Sequence, residues 1–319
     1  MISSRASGLA LGLSMLLAAR DLDAQGRHDF TGLHMGVAVR IALYAPSDNV
    51  AREAARAAFE RIAELDDKMS ADRPHSEVRM LAEHPWDWQP VSEDMLNVLA
   101  LAQEVSQKSG GAFDVTVGPL VQLWSGSKRA GRLPTAIEIS EAGWRSGSPL
   151  LEVDTDRGQV RLWTRDMQID LGGIARGYIL QEALAVLRAR GVPSAMIEAG
   201  GNLVVGDAPP GQPGWNVYVA SGDTAVLNRA RALTNAAVAT SGGNAQFIEV
   251  NGVRYSSVID PRTGLGITGR HIVTVIAKDA ALADAAATAL SVLGPSGAEP
   301  FRSTLPGALV SFRVPPAAR

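Results

Sequence analysis

A chain of 319 residues with 46% apolar and 20% charged residues has the length and composition of a globular protein with a substantial core, which excludes disorder as an overall description. The net charge of -3, without clustered Lys and Arg, argues against nucleic-acid binding, which needs a broad positive field to neutralise phosphates. Cys is absent, which excludes disulfides, thiolate nucleophiles, zinc ribbons and Cys-ligated iron-sulfur clusters.

Residues 1–24 place Arg5 before an apolar run from Ala6 to Ala19 and end in Arg20-Asp21-Leu22-Asp23-Ala24. A short basic start, an apolar stretch of this length and a small residue at a cleavage point resemble a secretory signal peptide. The run is too short to span a bilayer comfortably, and no Cys follows it to carry a lipid. The expectation is an exported, periplasmic, soluble protein with no transmembrane span in its mature form.

Further along, Gly36 to Tyr44 alternates and is rich in Val and Ile, predicting a strand. Ala51, Ala55, Ala58, Phe59, Ile62, Leu65 and Met69 recur at helical spacing. A second helix opens at Ser92, with Glu93 and Asp94 in its first turn, and stops at Gly110-Gly111. Beyond Trp124 the chain to Pro149 is rich in Gly, Ser and Arg and reads as surface, with a brief helical patch near Thr135 to Glu141. Leu151–Asp154 and Gln159–Trp163 flank a turn and predict a hairpin. A helix from about Ile174 to Arg190 follows, closed by Gly191 and Pro193, and leads into strands at Ser194–Ala199 and Trp215–Ala220. Ile272–Ala277 predicts a strand, and Asp279 caps an alanine-rich helix that ends at Gly294-Pro295. Strands and helices mix without strict alternation, which points to an α+β fold forming a single unit of two lobes at most over residues 30–313.

Several familiar chemistries fail on the residues. Gly172 and Gly177 have P-loop spacing, but Tyr178-Ile179 stands where Lys and Ser or Thr must grip phosphate. There is no H-E-x-x-H among the five His residues and no G-x-S-x-G elbow. Two local features remain. The pair Gly172-Gly173 at a helix start lets backbone approach an anion, although a tight strand-to-helix turn needs glycine just as much. Asp284 and Thr288, four apart on one helix face, offer two oxygens to a hard cation, although a surface Asp and a Thr bonded to its own helix give the same spacing.

Taken jointly, separated blocks carry more. Met35-Gly36, Met69-Ser70, Gly111-Ala112-Phe113-Asp114-Val115-Thr116-Val117-Gly118-Pro119-Leu120, Asp170-Leu171-Gly172-Gly173-Ile174-Ala175-Arg176-Gly177, Ala239-Thr240-Ser241-Gly242 and Asp260-Pro261-Arg262-Thr263-Gly264 occur in this order, followed by Asp284 and Thr288. This series closely resembles the FAD:protein FMN transferase (ApbE) family over about residues 30–313. The resemblance implies an ApbE-like, T-fold-type mixed sheet with helices packed on it. It implies a transferase that uses magnesium to move FMN from FAD to a Thr of an exported flavoprotein acceptor, releasing AMP. FAD contacts would fall on Met35, Asp72, Ala112, Phe113, Asp114, Asp170, Arg176 and Ile259, and the magnesium ligands would be Gly173, Asp284 and Thr288. The family's catalytic His position is Ser257 here, a hydroxyl that cannot accept a proton near neutral pH as imidazole does. Asp72 replaces a common Tyr, Arg176 a Lys and Gln181 an Asp. Ser257 keeps a second reading open, a non-catalytic FAD-binding protein or an FAD pyrophosphatase lacking efficient transfer.

Overall fold

The computed structural model describes residues 25–218, 230–242 and 247–314, so the leader reading over residues 1–24 lies outside the described residues. Val37–Ala45 alternates, and its two faces end in different cores. Val39, Ile41 and Leu43 point to one side of the sheet, whereas Ala42 and Tyr44 point to the other. This strand, β2, lies in a seven-stranded sheet with Gly26–His34 (β1), Ala195–Ala199 (β3), Asn202–Val205 (β4), Ala236–Gly242 (β5), Ile272–Ala277 (β6) and Leu309–Arg313 (β7). The seven lie side by side in chain order, and each neighbouring pair is antiparallel.

Helices α1 (Asp48–Met69), α2 (Glu93–Lys108), α3 (Gly118–Ala130), α4 (Ala136–Gly143), α5 (Ala175–Ala189) and α6 (Ala280–Gly297) surround this sheet. On one face α1 packs on α5 and α5 on α6, and their Ala, Leu and Ile side chains form the main core with β2, β3 and β6. The opposite face is covered by the hairpin Trp215–Tyr218 and Ala230–Leu233, which buries Trp215 and Val217 against Ala42, Val205, Val238 and Ile276. A third core joins Leu120 and Trp124 of α3, Ala142 of α4 and Ile259. It belongs to a second lobe made of α3, α4 and the short hairpins between residues 247 and 266. No helix among the described residues is long and apolar enough to cross a membrane.

The capping signals in the sequence are realised. Ser92 accepts the Met95 N–H at 3.3 Å, Asp279 accepts the Leu282 N–H at 2.8 Å, and Thr135 and Glu138 close a reciprocal capping box. Gly294 breaks α6 at φ 67, and a final turn resumes from Pro295 to Gly297. The predicted hairpin forms, with Gln89–Pro90 added as a third strand beside Gln159–Leu162.

Two elements differ from the sequence reading. β1, which opens at Gly26, was not anticipated, because Arg27, His28, Asp29 and Thr31 give it the polar look of a loop. It is an edge strand, held by pairing with β2 from Gly26↔Ala45 to His34↔Val37. The segment that begins at Gly118 is a helix until Ala130, despite Ser125-Gly126-Ser127. Burial of Leu120 and Trp124 overrides weak local propensity, and Pro119 sits where a helix start tolerates it. The strand expected over Trp215–Ala220 ends at Tyr218, with residues 219–220 outside the described residues.

One buried charge cluster fixes α5 relative to its neighbours. Asp94 of α2 is 8% exposed and accepts from both terminal nitrogens of Arg61, from Lys68 Nζ at 2.9 Å and from the Tyr178 hydroxyl at 3.0 Å. Burial alone would raise its pKa, but these donors hold the carboxyl below the usual carboxylate range. A carboxylate with a depressed folded pKa stabilises the protein above its unfolded pKa of about 3.9 and ceases to do so as pH falls through the folded value. Asp94→Ala is therefore expected to cost about 2 kcal/mol in urea unfolding at pH 7, because it removes the carboxylate that Arg61, Lys68 and Tyr178 share, while Glu64 and Glu182 remain as partners of the two cations. The gap between wild type and variant should narrow as pH is lowered below about 4.

Candidate active site

The site is assembled around the turn that leads into α5. Asp170 is anchored by its N–H to the Val115 carbonyl at 2.7 Å, and its Oδ1 accepts the Gly172 N–H at 2.8 Å, bending the chain sharply. The residue at the helix start, Ile174, makes no cap of its own; the Ala175 N–H donates to the Leu171 carbonyl at 2.8 Å and the Gly177 N–H to Asp284 Oδ2 at 3.0 Å, so the start of α5 is tied to α6. Gly177, one turn in, lies against α6. A Cβ there would sit 2.1 Å from the Ala280 carbonyl oxygen and 2.9 Å from the Asp284 Cβ. A Cβ on Gly173 would lie 3.2 Å from the Thr288 hydroxyl and 3.1 Å from the Phe113 ring. Glycine is thus required at 177, and at 173 a side chain fits only if Phe113 and Thr288 give way, for the turn to meet the α6 face that carries Asp284 and Thr288.

These groups line a cavity of about 350 Å³ between the two lobes. Gly173, Arg176, Asp284 and Thr288 form one wall, while Val117, Val121 of α3, Ser257, Ile259 and Pro261 form the other. Ala112, Phe113, Asp114 and Asp170 complete the floor. A second cavity of about 530 Å³ shares Val121, Asp170, Gly172 and Arg176 with the first and extends to Met35, Gly36 and Asp72. Every site residue named from the sequence therefore lines one of two contiguous cavities. Met35 sits at the tip of the β1–β2 hairpin with φ 52, beside Gly36 at φ 68, in the pair of left-handed conformations that a two-residue hairpin turn needs.

Burial pushes the Asp284 carboxyl above the usual carboxylate range, against the opposing influence of the Asn202 amide, the Gly177 N–H and the Arg176 charge. Its only formed hydrogen bond among the described residues is from the Gly177 N–H to Oδ2 at 3.0 Å. Asp170 is raised too, by burial first; the Gly172 N–H opposes the rise and the nearby Asp72 charge adds to it. Two donors around Asp284 are buried without a partner among the described residues, Arg176 Nε and Asn202 Nδ2. The Thr288 hydroxyl is likewise not bonded back to its helix, in contrast to Ser291, whose hydroxyl bonds the Ala287 carbonyl. The stranded Arg176 Nε, on a residue that lines the cleft, fits an anionic ligand bearing phosphate. No cluster of three or more His, Cys, Asp or Glu side chains occurs among the described residues. A cation held by Asp284, Thr288 and Gly173 would have oxygen donors only, and ligand oxygens and water would complete its shell, a donor set that suits magnesium.

Other expected residues carry structural duties. Both Asp114 oxygens are engaged: Oδ1 accepts the Thr116 N–H and hydroxyl at 2.8 and 2.7 Å, and Oδ2 accepts the Ser148 N–H at 2.7 Å. Gln181 Oε1 accepts the Ala280 N–H at 2.8 Å and so ties the start of α6 to α5. Ser257 is exposed on the bend after Val253–Ser256, and no His lines either cavity. His34 stacks on Phe59 with centroids 5.3 Å apart, and His271 Nε2 meets the Ser291 carbonyl at 2.9 Å. Sequence reasoning gave no role to Asn202, whose signal was a polar residue directly after Gly200-Gly201 at a strand turn.

The fold and this cleft define an α+β protein with a polar cavity between its lobes. The ApbE family model matches residues 35–309, and the chain belongs to the ApbE family. It is 33% identical over 266 residues to the FAD:protein FMN transferase of Klebsiella pneumoniae strain 342, covering 79% of this chain and 75% of that one. It is 30% identical over 295 residues to the FAD:protein FMN transferase of Vibrio cholerae, covering 90% and 87%. The apo form of the Pseudomonas stutzeri flavinyl transferase ApbE has the same fold, with a TM-score of 0.80 at 30% identity over 92% of this chain and 93% of that one. The ApbE protein of Thermotoga maritima gives 0.78 at 30% identity, over 89% and 93%.

The contact of Gly177 with α6 yields a direct test. Gly177→Ala has no backbone strain to blame, so any effect must come from driving a methyl into the Ala280 carbonyl. Overpacking of this kind typically costs 1–3 kcal/mol, or about 2 kcal/mol here by urea unfolding, and FAD retention should fall with it.

Proposed function

We propose that this chain is an exported, magnesium-dependent flavin transferase that moves FMN from FAD to a Thr hydroxyl of an exported flavoprotein acceptor and releases AMP. The observation that carries the reading is the convergence of Gly173, Asp284 and Thr288 with the Asp170–Gly177 turn and Ser257 in one interlobe cleft. The names of the relatives, FAD:protein FMN transferase, support the same reaction class. Gly173, Asp284 and Thr288 would hold the magnesium ion, which neutralises charge on the pyrophosphate. The Arg176 guanidinium, with its unpaired Nε, favours the phosphates, and Met35, Phe113 and Ile259 give apolar surface for the rings. An acceptor Thr approaching from the Ser257 side forms a bond from its oxygen to the FMN phosphorus as the bond to AMP breaks. Such a transfer is mostly positioning and charge stabilisation, and the hydroxyl proton must pass to a base.

That last step is the weak one here. Ser257 offers no base near neutral pH, and His34 and His271 are engaged elsewhere. The absence of an imidazole from both cavity linings favours a second reading, FAD binding or FAD hydrolysis without efficient transfer. A single assay separates the readings: protein, FAD, magnesium and an acceptor domain with a target Thr are run on a denaturing gel viewed for flavin fluorescence. A fluorescent acceptor band is the expected result; bound FAD without a band supports the second reading, and no FAD binding refutes both. Ser257→His is expected to raise transfer at least tenfold, since a general base contributes roughly 10²–10⁴-fold. Asp284→Ala should abolish the magnesium-dependent activity, and undiminished activity would remove the metal assignment.

A further inference from the structure

Asn202 stands out among groups that the proposed reaction leaves unused. It opens β4, directly after Gly200 and Gly201, both at positive φ. It is paired on both sides, with Ala199 of β3 and Ala239 of β5, so its backbone is fixed inside the sheet. The residue is 3% exposed, yet its Nδ2 has no hydrogen-bond partner among the described residues. A buried amide donor left unpaired costs about 1–3 kcal/mol, so a partner is to be expected in the working state. By alternation Asn202 shares the sheet face of Val204, opposite to Leu203, and α6 packs on β4 from that face; the group it faces there is the Asp284 carboxylate, whose charged form the amide favours although no hydrogen bond is formed.

The rest of that carboxylate's surroundings define what the amide can do. Oδ2 accepts the Gly177 N–H, and no formed bond among the described residues holds Oδ1. The Arg176 guanidinium, the other charge near Asp284, leans away toward the Gly200 carbonyl at 3.4 Å. With one oxygen tethered to α5 and the other free, the plane of the carboxylate is set on one side only. A donor from the sheet on the second side would lock it, aiming the remaining lone pairs into the cleft. We infer that Asn202 is a positioning residue, whose side-chain amide orients the Asp284 carboxylate for the cation. The inference rests on the proposed role of Asp284 as a metal ligand. Outer partners of this kind typically change metal affinity by 10–100-fold when removed.

The test titrates magnesium chloride into full-length protein mixed with FAD and follows flavin fluorescence, with thermal unfolding recorded in EDTA. Asn202→Ala is expected to raise the magnesium concentration at half-saturation roughly tenfold while leaving FAD binding in EDTA unchanged. Asn202→Asp keeps the volume but adds a second carboxylate, and should shift the half-saturation point to lower magnesium. In an Asp284→Ala background, Asn202→Ala should have no further effect on the titration. A merely structural Asn202 would instead lower the melting temperature and FAD binding in both variants, with no change of sign between them. A shift under twofold for Asn202→Ala, shifts of one direction in both variants, or a shift that persists without Asp284 overturns the inference. Should Asp284→Ala itself leave the magnesium response intact, the metal assignment fails first and the role of Asn202 falls with it. A response lost in Asp284→Ala but untouched in Asn202→Ala refutes the Asn202 inference alone.

Discussion

The site depends on how closely the start of α5 can approach α6. At Gly177 the backbone lies so near the Ala280 carbonyl that no side chain fits between, and at Gly173 the same is nearly true of Thr288 and Phe113. This closeness brings the start of α5 beside a buried carboxylate on another helix, which accepts the Gly177 N–H. The small side chains of α6, Ala283, Ala285, Ala286 and Ala287, let that helix sink against the sheet and α5 together. A larger residue on either surface would separate the start of α5 from the oxygens that face it.

The charge arrangement at this junction makes sense as one half of a complex. Among the described residues, Asp284 is buried with a single formed hydrogen bond, and two donors beside it have none. Groups in that state are costly in the absence of a ligand and favourable once a cation and phosphate oxygens supply their partners. Contrast the Asp94 cluster a few turns away, where carboxylate, Arg61, Lys68 and Tyr178 satisfy one another completely. The first arrangement invites a ligand, whereas the second holds helices.

The residues singled out in the sequence fall into two physical kinds. Gln181 accepts an N–H at the start of α6 and so makes a helix-to-helix tie. Asp114 anchors the 146–148 turn through both oxygens, which makes it a builder of the cavity floor. Ser257 is different, because it sits exposed on the opposite lobe from the phosphate-facing wall.

Much of this protein was legible in the chain. Caps at Ser92, Thr135 and Asp279, the Gly294 break and the alternation of Val37–Ala45 are local signals, set by hydrogen bonds within a few residues, and they held in place. The ordered blocks around Ala112–Asp114, Asp170–Gly177 and Asp284–Thr288 were sufficient to indicate the family, whose α+β fold the structure shares. Local pattern did not reveal β1, which is a strand because β2 supplies its hydrogen bonds, or α3, which is a helix because Leu120 and Trp124 are buried by the second lobe. Nor could it reveal that Asn202, 82 positions before Asp284 in the numbering, faces that carboxylate. Sequence determined which residues have the chemistry, because composition and short-range spacing are written in the chain. The approach of one glycine to a carbonyl, and of one amide to an acid, was decided by packing between elements distant in sequence.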